Sequence, residues 1–325
     1  MVRRGAAGKD KLMMGKQLIQ HRSHDGVHFV GDMIWRVFLA KRLPMDRLST
    51  LLSQFGVRAK LFFNGKQCGL ASYDGAEGRG YIHLLQAGSV NLQRADGRGL
   101  LLTRPSLIFM PRPSRHQLFA GESEGAQLLC ASMEFGGGVD NPLSASLPDC
   151  LVLSLDELPM LADTLKWMFR EAAGSHCGKE AALERLFELL IILLFRHLLD
   201  HHQLHTGMMA GLADPRLSRS LSQIHNAPHL AWSVAGMASE SNMSRAAYAV
   251  HFRAVIGQTP ADYLLSWRIS LAQKRLREGR SITLIAAEVG YESPSALARA
   301  FRRKTGYSPQ EWIKDLAGGE NRALT

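Results

Sequence analysis

A segment of the sequence is written twice, first as residues 237–260 (MASESNMSRAAYAVHFRAVIGQTP) and again as residues 285–309 (IAAEVGYESPSALARAFRRKTGYSP). The early positions of the two copies match at an offset of 48 and the later ones at 49, so the second turn holds one extra residue. Each copy has a small residue where two helices must cross closely, then a turn at Asn242 or Gly290, then apolar residues four apart. The pattern predicts two helix-turn-helix units, whose two recognition helices can read successive major-groove segments of DNA.

A longer pattern extends over both copies and the helix between them: Met243 to Arg253, Gly257 to Pro260, Tyr263, Leu264, Arg268, Ala272 and Gly290 to Pro309. It resembles the AraC/XylS family of bacterial transcription regulators over residues 215–316. The resemblance implies a protein that binds double-stranded promoter DNA and contacts RNA polymerase, usually as an activator. It leaves open whether this chain activates or represses.

Apolar anchors turn one side of each predicted recognition helix toward the core: Tyr248, Phe252, Leu297 and Phe301. The side chains on the outward sides are predicted to bind DNA: Arg245, Ala246, Ala249, Val250, Arg253, Ser295, Ala298, Arg299, Arg302 and Arg303. Ser244 and Ser293 are the predicted N-caps of the two helices. Arg268, in the helix that links the units, is expected to brace them.

The two recognition helices differ in what they offer to bases. Arg299 matches a base-contacting position of the family and could bridge O6 and N7 of guanine. The corresponding residue of the first helix is Val250, where the family more often has arginine or another polar residue. That helix is therefore expected to contribute shape, phosphate anchoring and apolar contacts to thymine methyl groups. Six residues are candidates for phosphate contacts or for plain solvated charges: Arg245, Arg253, Lys274, Arg302, Arg303 and Lys304.

Basic charge is concentrated at the two ends of the sequence. Residues 1–44 carry a net charge of +6, residues 45–214 carry −3 and residues 215–325 carry +7. A basic region that also holds a doubled helix-turn-helix is expected when one domain faces phosphates and another does not. With 325 residues, 46% of them apolar, the chain is long enough for two domains with cores of their own.

Residues 1–44 are predicted to be a basic extension, and a helix is predicted to begin at Met45, after Pro44. Three interpretations of the extension stay open: it is not translated, it is an arm that touches DNA, or it is an inert tail. No continuous apolar segment follows the basic start, and the longest apolar run, Leu189 to Phe195, is too short to span a bilayer. We therefore expect a cytoplasmic protein that does not associate with membranes.

Short apolar runs separated by Gly, Pro and Asp dominate from residue 59 to residue 135. With Asp96-Gly97 as a hairpin signal, they predict an antiparallel β-sandwich or barrel over residues 45–150. The order of His83 to Gly88, Leu102 to Pro111 and then His116 resembles the cupin barrel that many AraC-type regulators carry as a sensor domain.

His83 and His116 are the candidate ligand-binding residues of this barrel, although histidines that merely fill the barrel are the simpler interpretation. The resemblance to cupins raises the question of a metal ion. Enzymatic cupins usually hold one with three histidines and a glutamate, and two histidines are too few for a closed site. No metal or other cofactor is therefore predicted.

Apolar residues recur every three or four positions between residues 156 and 204 and predict two helices, separated near Gly174 to Gly178. The run Leu189 to Phe195 is apolar on nearly every side, which favours burial against both the barrel and a second subunit over packing within one domain. Residues 151–206 are thus predicted to be the helical segment through which the chain forms a homodimer. A linker (207–215), the DNA-binding domain (216–318) and a tail (319–325) complete the predicted organisation.

Two further groups of residues are candidate signal sites. Histidines in residues 197–205 are spaced four apart, as in helical metal sites, but no Cys or Glu completes the set. Cys130, in an apolar strand, is the candidate redox residue, with Cys68 or Cys150 as its partner. A small core thiol is the simpler interpretation.

Taken together, these patterns predict an α+β protein with an N-terminal antiparallel cupin-like barrel, a helical dimerisation segment and a C-terminal all-α double helix-turn-helix domain. The predicted function is DNA-binding transcription regulation, without catalytic residues, gated by an unidentified small-molecule effector or by a redox signal. One alternative is a metal-dependent cupin oxygenase or isomerase fused to DNA-binding helices, which a divalent ion held by three protein ligands would favour. Another is a regulator without a ligand, whose barrel would be filled by its own side chains.

Overall fold

The computed structural model describes residues 46–75, 78–138, 141–201, 204 and 206–322. The predictions for residues 1–44, Met45, His202 and His205 lie outside this part of the chain. None of the helices within it combines the length and the apolar content that a membrane span requires.

Two antiparallel sheets make up the first half of the described chain. Their strands are β1 (Val57–Gln67), β2 (Gly69–Tyr73), β3 (Gly80–Gly88), β4 (Val90–Arg94), β5 (Gly99–Leu102), β6 (Ser106–Met110), β7 (His116–Ala120), β8 (Ala126–Phe135) and β9 (Leu151–Ser154). The five-stranded sheet has the order β1-β8-β3-β6-β9, and the four-stranded sheet has the order β2-β7-β4-β5. The predicted N-terminal cupin-like architecture and the α+β class are confirmed.

The five-stranded sheet is covered on both faces, and all five residues of β6 are buried. One face, which includes Ile108 and Cys130, packs inside the barrel against the four-stranded sheet. The opposite face, which includes Ile82 and Phe109, packs against helices. A sheet buried on both faces gives continuous apolar runs, which is why the sequence signalled these strands clearly.

The four-stranded sheet turns its outer face to solvent. In β7, buried and exposed residues alternate strictly, and Phe119 is 48% exposed. The predicted hairpin at Asp96-Gly97 is present between β4 and β5, where Gly97 has a φ of 80°. The sequence signals three strands only weakly. The strands β2 and β7 are short and have few apolar residues in a row, and β9 lies beyond the predicted barrel region of residues 45–150.

The helices are α1 (Ser49–Phe55), α2 (Pro142–Ala145), α3 (Ala162–Ala173), α4 (Lys179–Asp200), α5 (Met208–Ala213), α6 (Ser218–Asn226), α7 (Val234–Glu240), α8 (Arg245–Ile256), α9 (Pro260–Arg277), α10 (Ile282–Glu288), α11 (Pro294–Thr305) and α12 (Pro309–Arg322). Two 3-10 turns, Leu155–Glu157 and Pro159–Leu161, precede α3. The two helices expected to separate near residues 174–178 are α3 and α4. The segment 207–215, expected to be a linker, instead contains α5, all six of whose residues are buried.

One apolar core runs from α1 and the outer face of the five-stranded sheet to the C-terminal helices. Phe55 of α1 meets Trp267 of α9 edge to face, with ring centroids 5.4 Å apart. The apolar run of α4 packs against β1, α3 and α5, and its residues Leu190, Ile191 and Leu194 are fully buried within this chain. The described residues from Asp46 onward accordingly form one compact unit.

A buried histidine makes the stability of this core depend on pH. The ring of His225 lies 4.2 Å from the ring of Trp267, and its Nε2 lies 2.5 Å from the hydroxyl of Tyr263. Burial lowers the pKa of His225 from 6.5 to about 3. Below about pH 6.5, His225 therefore binds a proton in the unfolded chain but stays neutral in the folded chain. The free energy of unfolding consequently falls as the pH drops through that value.

We expect His225 alone to remove about 2 kcal/mol of stability between pH 7.5 and pH 5. The measurement is urea unfolding at both pH values, for the natural chain and for His225→Gln. The natural chain should lose more stability over this range than the variant does. Equal losses would show that His225 is protonated in the folded protein.

Candidate nucleic-acid interface

The two helix-turn-helix units share a backbone feature at their turns, although the second turn is one residue longer. Asn242 has a φ of 52° and Gly290 a φ of 84°, so the chain turns through the left-handed region at both places. Immediately afterwards, the amide of Met243 donates to the carbonyl of Ala238 at 3.0 Å, and that of Tyr291 donates to Ala286 at 2.8 Å. Asparagine is among the few residues other than glycine that adopt this conformation readily. The repeat in the sequence is therefore a repeat in structure.

The two recognition helices also begin and end alike. Ser244 Oγ accepts a hydrogen bond from the third amide of α8 at 3.3 Å, and Ser293 Oγ accepts one from the third amide of α11 at 3.2 Å. Both serines are thus the N-caps that the sequence predicts. Gly257 and Gly306 end the helices with φ values of 87° and 83°. Matched caps at both ends fix the length of each helix independently of any partner.

The anchors of both helices are buried, and the predicted DNA-facing side chains lie on the other side. Tyr248, Phe252, Leu297 and Phe301 are each 0% exposed. Val250 is 73% exposed, the highest value among the large hydrophobic side chains of the described residues. The remaining predicted DNA-facing residues are exposed or half-buried: Arg245, Ala246, Ala249, Arg253, Ser295, Ala298, Arg299, Arg302 and Arg303. These positions form one open face on each helix.

Arg268 of α9, which the sequence predicts to brace the two units, links the loop before the first unit to the turn of the second. Its Nε donates to the carbonyl of Pro228 at 2.9 Å and its Nη2 to that of Leu230 at 2.8 Å, both in the loop before the first unit. Its guanidinium also lies over the ring of Tyr291 in the turn of the second unit, 5.6 Å from the ring centroid. The turns are crowded here, because a Cβ on Gly290 would come within 2.7 Å of the guanidinium.

The basic residues of the interface differ in their availability to phosphates. Arg302 is already paired with Glu311 at 3.0 Å, and Lys274 forms an ion pair with Glu278. Arg299 and Arg303, by contrast, are exposed and have no ion-pair partner among the described residues. These two arginines are therefore free to meet a base edge or a phosphate.

In the barrel, the structure brings together the two histidines that the sequence singles out. Nε2 of His83, on β3, lies 2.9 Å from Nε2 of His116, on β7. The ring of Tyr73 stacks on that of His116, with centroids 4.7 Å apart. Burial lowers the pKa of both histidines, which keeps them neutral near pH 7. His116 borders an open cavity of about 750 Å³.

Cys130 lies on β8, with Phe63 opposite it in β1 and His83 opposite it in β3. The residue is fully buried, and burial raises the pKa of its thiol, which disfavours the reactive thiolate. Cys68 follows the end of β1 and is exposed, while Cys150 precedes β9 at the edge of the same sheet. Neither proposed partner lies in the strand position next to Cys130.

Of the remaining histidine group, the structure describes His197 and His201. The rings of His197 and His201 stack at 4.1 Å, and Nδ1 of His201 lies 2.9 Å from the carbonyl oxygen of His197. Across the described residues, no three His, Cys, Asp or Glu side chains converge in a way that could hold a metal ion.

Comparison with known proteins agrees with both halves of this arrangement. Residues 46–200 match a family model described as Cupin, and residues 237–315 match one described as Helix-turn-helix domain. An "RCS-specific HTH-type transcriptional activator RclR" from Escherichia coli is 28% identical over 287 residues, which cover 84% of this chain and 100% of that protein. The chain belongs to the AraC family of transcription regulators.

Other relatives match a smaller share of this AraC-type chain. A "Putative AraC-like transcription regulator" from Streptomyces lividans is 33% identical over 201 residues, which cover 60% of this chain and 66% of that protein. Among solved structures, the DNA-binding domain of AdpA in complex with a target DNA is 31% identical, with a TM-score of 0.29. The match covers 30% of this chain and 90% of the AdpA chain.

Sequence reasoning missed two contacts that position the first recognition helix of this AraC-type regulator. Nε2 of His251 lies 2.8 Å from Oδ2 of Asp214, and the amide of Gly207 donates to the carbonyl of Val255 at 3.0 Å. Both contacts join α8 to the segment that leads in from α4. No sequence motif signals them, because the partners are more than 35 residues apart and two of the four groups belong to the backbone.

Proposed function

We propose that this chain regulates transcription by placing α8 and α11 in successive major-groove segments of promoter DNA. The proposal is supported by features that both units share: a serine N-cap, a turn residue in the left-handed region and an open outward face. The test is binding of the purified chain to duplex fragments from its own upstream region, followed by fluorescence anisotropy. A specific fragment should bind at least roughly 1,000-fold more tightly than random duplex DNA. Equal affinity for both would contradict the proposal.

Within this interface we assign different tasks to different side chains. Arg299, exposed in the middle of α11 and unpaired among the described residues, is proposed to read a guanine. Arg303, one turn later and also unpaired, is proposed to bind a phosphate. Arg302 contributes less, because phosphate binding must first compete with Glu311.

The outward face of α8 is proposed to read thymine through its methyl group. Ala246, Ala249 and Val250 form a small apolar surface between Arg245 and Arg253. Apolar contact with the 5-methyl group of thymine is the specific interaction such a surface can offer in the major groove. The two arginines are then left to anchor this surface to the backbone.

Replacing thymine by deoxyuridine in the half-site of α8 tests this assignment without changing any hydrogen-bonding group. We expect the change at the contacted base to weaken binding by about 0.8 kcal/mol, roughly fourfold, because one methyl group is no longer buried. Val250→Ala should remove most of this sensitivity, and the natural and variant chains together form a double-mutant cycle. If every thymine of the half-site tolerates the substitution, α8 does not read methyl groups.

The barrel is proposed to receive the signal that controls DNA binding. The cavity beside His116 offers space for a small molecule, whereas Cys130 is buried with a raised pKa and supports a redox signal less well. Activation through contact with RNA polymerase is the proposed mode, and the Escherichia coli relative is named a transcriptional activator.

The outer surfaces of α3 and α4 are candidates for contact with a second subunit. The exposed side chains Trp167 on α3 (51%) and Leu189 on α4 (39%) are available for a second subunit, although most of the apolar surface of α4 is covered within the chain. We propose a cytoplasmic homodimer without enzymatic activity. Sedimentation of the natural chain and of Trp167→Glu tests the dimer, since only the natural chain should dimerise.

A further inference from the structure

A cavity lies where the helix that links the two helix-turn-helix units meets the ends of both recognition helices. Its volume is about 650 Å³, and one face of α9 forms much of its wall. Ile256, the last residue of α8, and Thr305, the last residue of α11, border it at equivalent positions of the repeat. Ser146, which follows α2, and Met208, which begins α5, border it as well. The cavity is therefore shared by both units and by the segments that precede them.

Gln273 of α9 is a buried polar residue in this wall that lacks a partner. The residue is 7% exposed, and its side-chain amide makes no hydrogen bond to another described residue. Burial of an amide that forms no hydrogen bond costs free energy, so such groups are nearly always paired with protein, water or a ligand. The amide of Gln273 thus offers a donor and an acceptor, side by side, to a molecule in the cavity.

Hydroxyl groups and aromatic rings make up much of the remaining wall. Ser270 and Ser266 lie three and seven residues before Gln273, which places them on the same face of α9. Trp267 of α9 and Trp312 of α12 are aromatic residues of the wall. The cavity therefore combines flat apolar surfaces with several groups that can form hydrogen bonds.

The charged residues of the cavity lie at its edge. Among the described residues that line it, Lys304 and Asp315 carry charge, and both are exposed. The two charges have opposite signs, and the buried part of the wall contains none. Because an unpaired charge is costly to bury, this arrangement favours a neutral molecule.

We infer that this cavity binds a neutral small molecule with hydroxyl groups and a flat ring whose edge holds a donor next to an acceptor, the chemistry of a nucleoside. The amide of Gln273 can pair with such an edge through two hydrogen bonds, as glutamine does with adenine in DNA. The rings of Trp267 and Trp312 offer stacking surfaces, which accept any base. Ser270 and Thr305 are then left for the hydroxyl groups.

The cavity lies outside the barrel and outside the outward faces of α8 and α11, so the inference goes beyond the proposed function. Its volume is within the range of small-molecule sites in proteins. A molecule bound there would touch Ile256 and Thr305 together, and so would hold the ends of the two recognition helices at one separation.

The test is calorimetric titration of adenosine, guanosine, cytidine and uridine into the purified full chain. We expect at least one of them to bind, with one molecule per chain and a dissociation constant on the order of 100 µM or lower. D-ribose should not bind measurably, because it lacks the ring edge. The 5′-monophosphate of the bound nucleoside should bind at least roughly tenfold more weakly, because the buried wall offers no cation to its phosphate.

Gln273→Leu should weaken binding of the nucleoside by roughly tenfold or more, because both hydrogen bonds to the ring edge are lost. Gln310→Leu is the matched control, since it makes the same change at an exposed glutamine of α12 outside this cavity, and the affinity should stay within about twofold. Ser270→Phe, which places a ring in the cavity, should abolish binding.

The melting temperature of the nucleoside-free chain separates loss of the ligand from misfolding. Gln273→Leu removes a buried amide that has no partner, so this temperature should not fall. Absence of binding by all four nucleosides would overturn the inference, as would equal affinity of the natural chain and Gln273→Leu. Tighter binding of D-ribose or of the monophosphate than of the nucleoside would also overturn it, since the site would then take a sugar or an anion.

Discussion

Arg299→Ala should weaken binding to the specific DNA site by about 1–3 kcal/mol, and the loss should be confined to one base pair. The reason is geometric: Arg299 is exposed on α11, between Ser295 and Arg303 on the same face, and has no ion-pair partner among the described residues. A guanidinium bonded to O6 and N7 of guanine discriminates against every other base. The measurement is a competition assay with single-base variants of the site, in which the variant protein should no longer distinguish the bases at that one position.

Arg303→Ala is the matched control for this prediction. The residue lies one helical turn beyond Arg299 and is proposed to bind a phosphate. The substitution should therefore weaken binding to all DNA sequences by a similar factor. The slope of log affinity against log salt should also fall by about 1. If the two variants behave identically in both assays, the division into a base contact and a phosphate contact is wrong.

Trp267→Ala should lower the free energy of unfolding by about 3–5 kcal/mol, the usual cost of removing a large buried aromatic side chain. Trp267 is 2% exposed, and its ring meets Phe55 from α1 and His225 from α6. It therefore connects the helix between the two DNA-binding units to the first helix of the barrel domain. Urea unfolding followed by circular dichroism measures the loss.

Trp167→Ala provides the comparison, because Trp167 is 51% exposed on α3. At concentrations low enough for the chain to be monomeric, Trp167→Ala should change the free energy of unfolding by no more than about 0.5 kcal/mol, as for most surface substitutions. If both substitutions cost the same, Trp267 does not hold the two halves of the chain together.

The parts of the fold that depend on local chemistry could be predicted from the sequence. The N-caps Ser244 and Ser293 and the turns at Asn242 and Gly290 each use contacts within a few residues, and the repeat shows each of them twice. The strands of the doubly buried sheet also give a strong signal, because both of their faces need apolar residues.

Other elements depend on distant partners and could not be predicted in this way. The strand β7 exposes every second residue and pairs with β2 across 43 to 51 positions of sequence, from Tyr73 with His116 to Gly69 with Ala120. The helix α5 contains a glycine, Gly211, that favours a loop in isolation. A Cβ on this glycine would come within 2.3 Å of Cδ1 of Ile256, so the glycine lets α5 pack closely against α8.

The candidate sites show the same division. The spacing of the apolar residues in α11 is enough to predict which face of the helix points outward. That face includes Arg299 and Arg303. The 2.9 Å approach of His83 to His116 joins strands of different sheets, and the pairing of Arg302 with Glu311 joins two different helices. Only the assembled structure shows that the two histidines meet and that one of the predicted DNA-binding arginines already has a partner.

Hydroxyl-radical footprinting of the natural chain on its upstream region shows most directly whether the two recognition helices bind DNA together. We predict two protected segments on one face of the duplex, with centres one helical turn, about 10 base pairs, apart. Arg299→Ala should lose protection preferentially in one of them. A single protected segment that is the same for the natural chain and the variant, or uniform protection along the fragment, would show that the two helices do not bind DNA together.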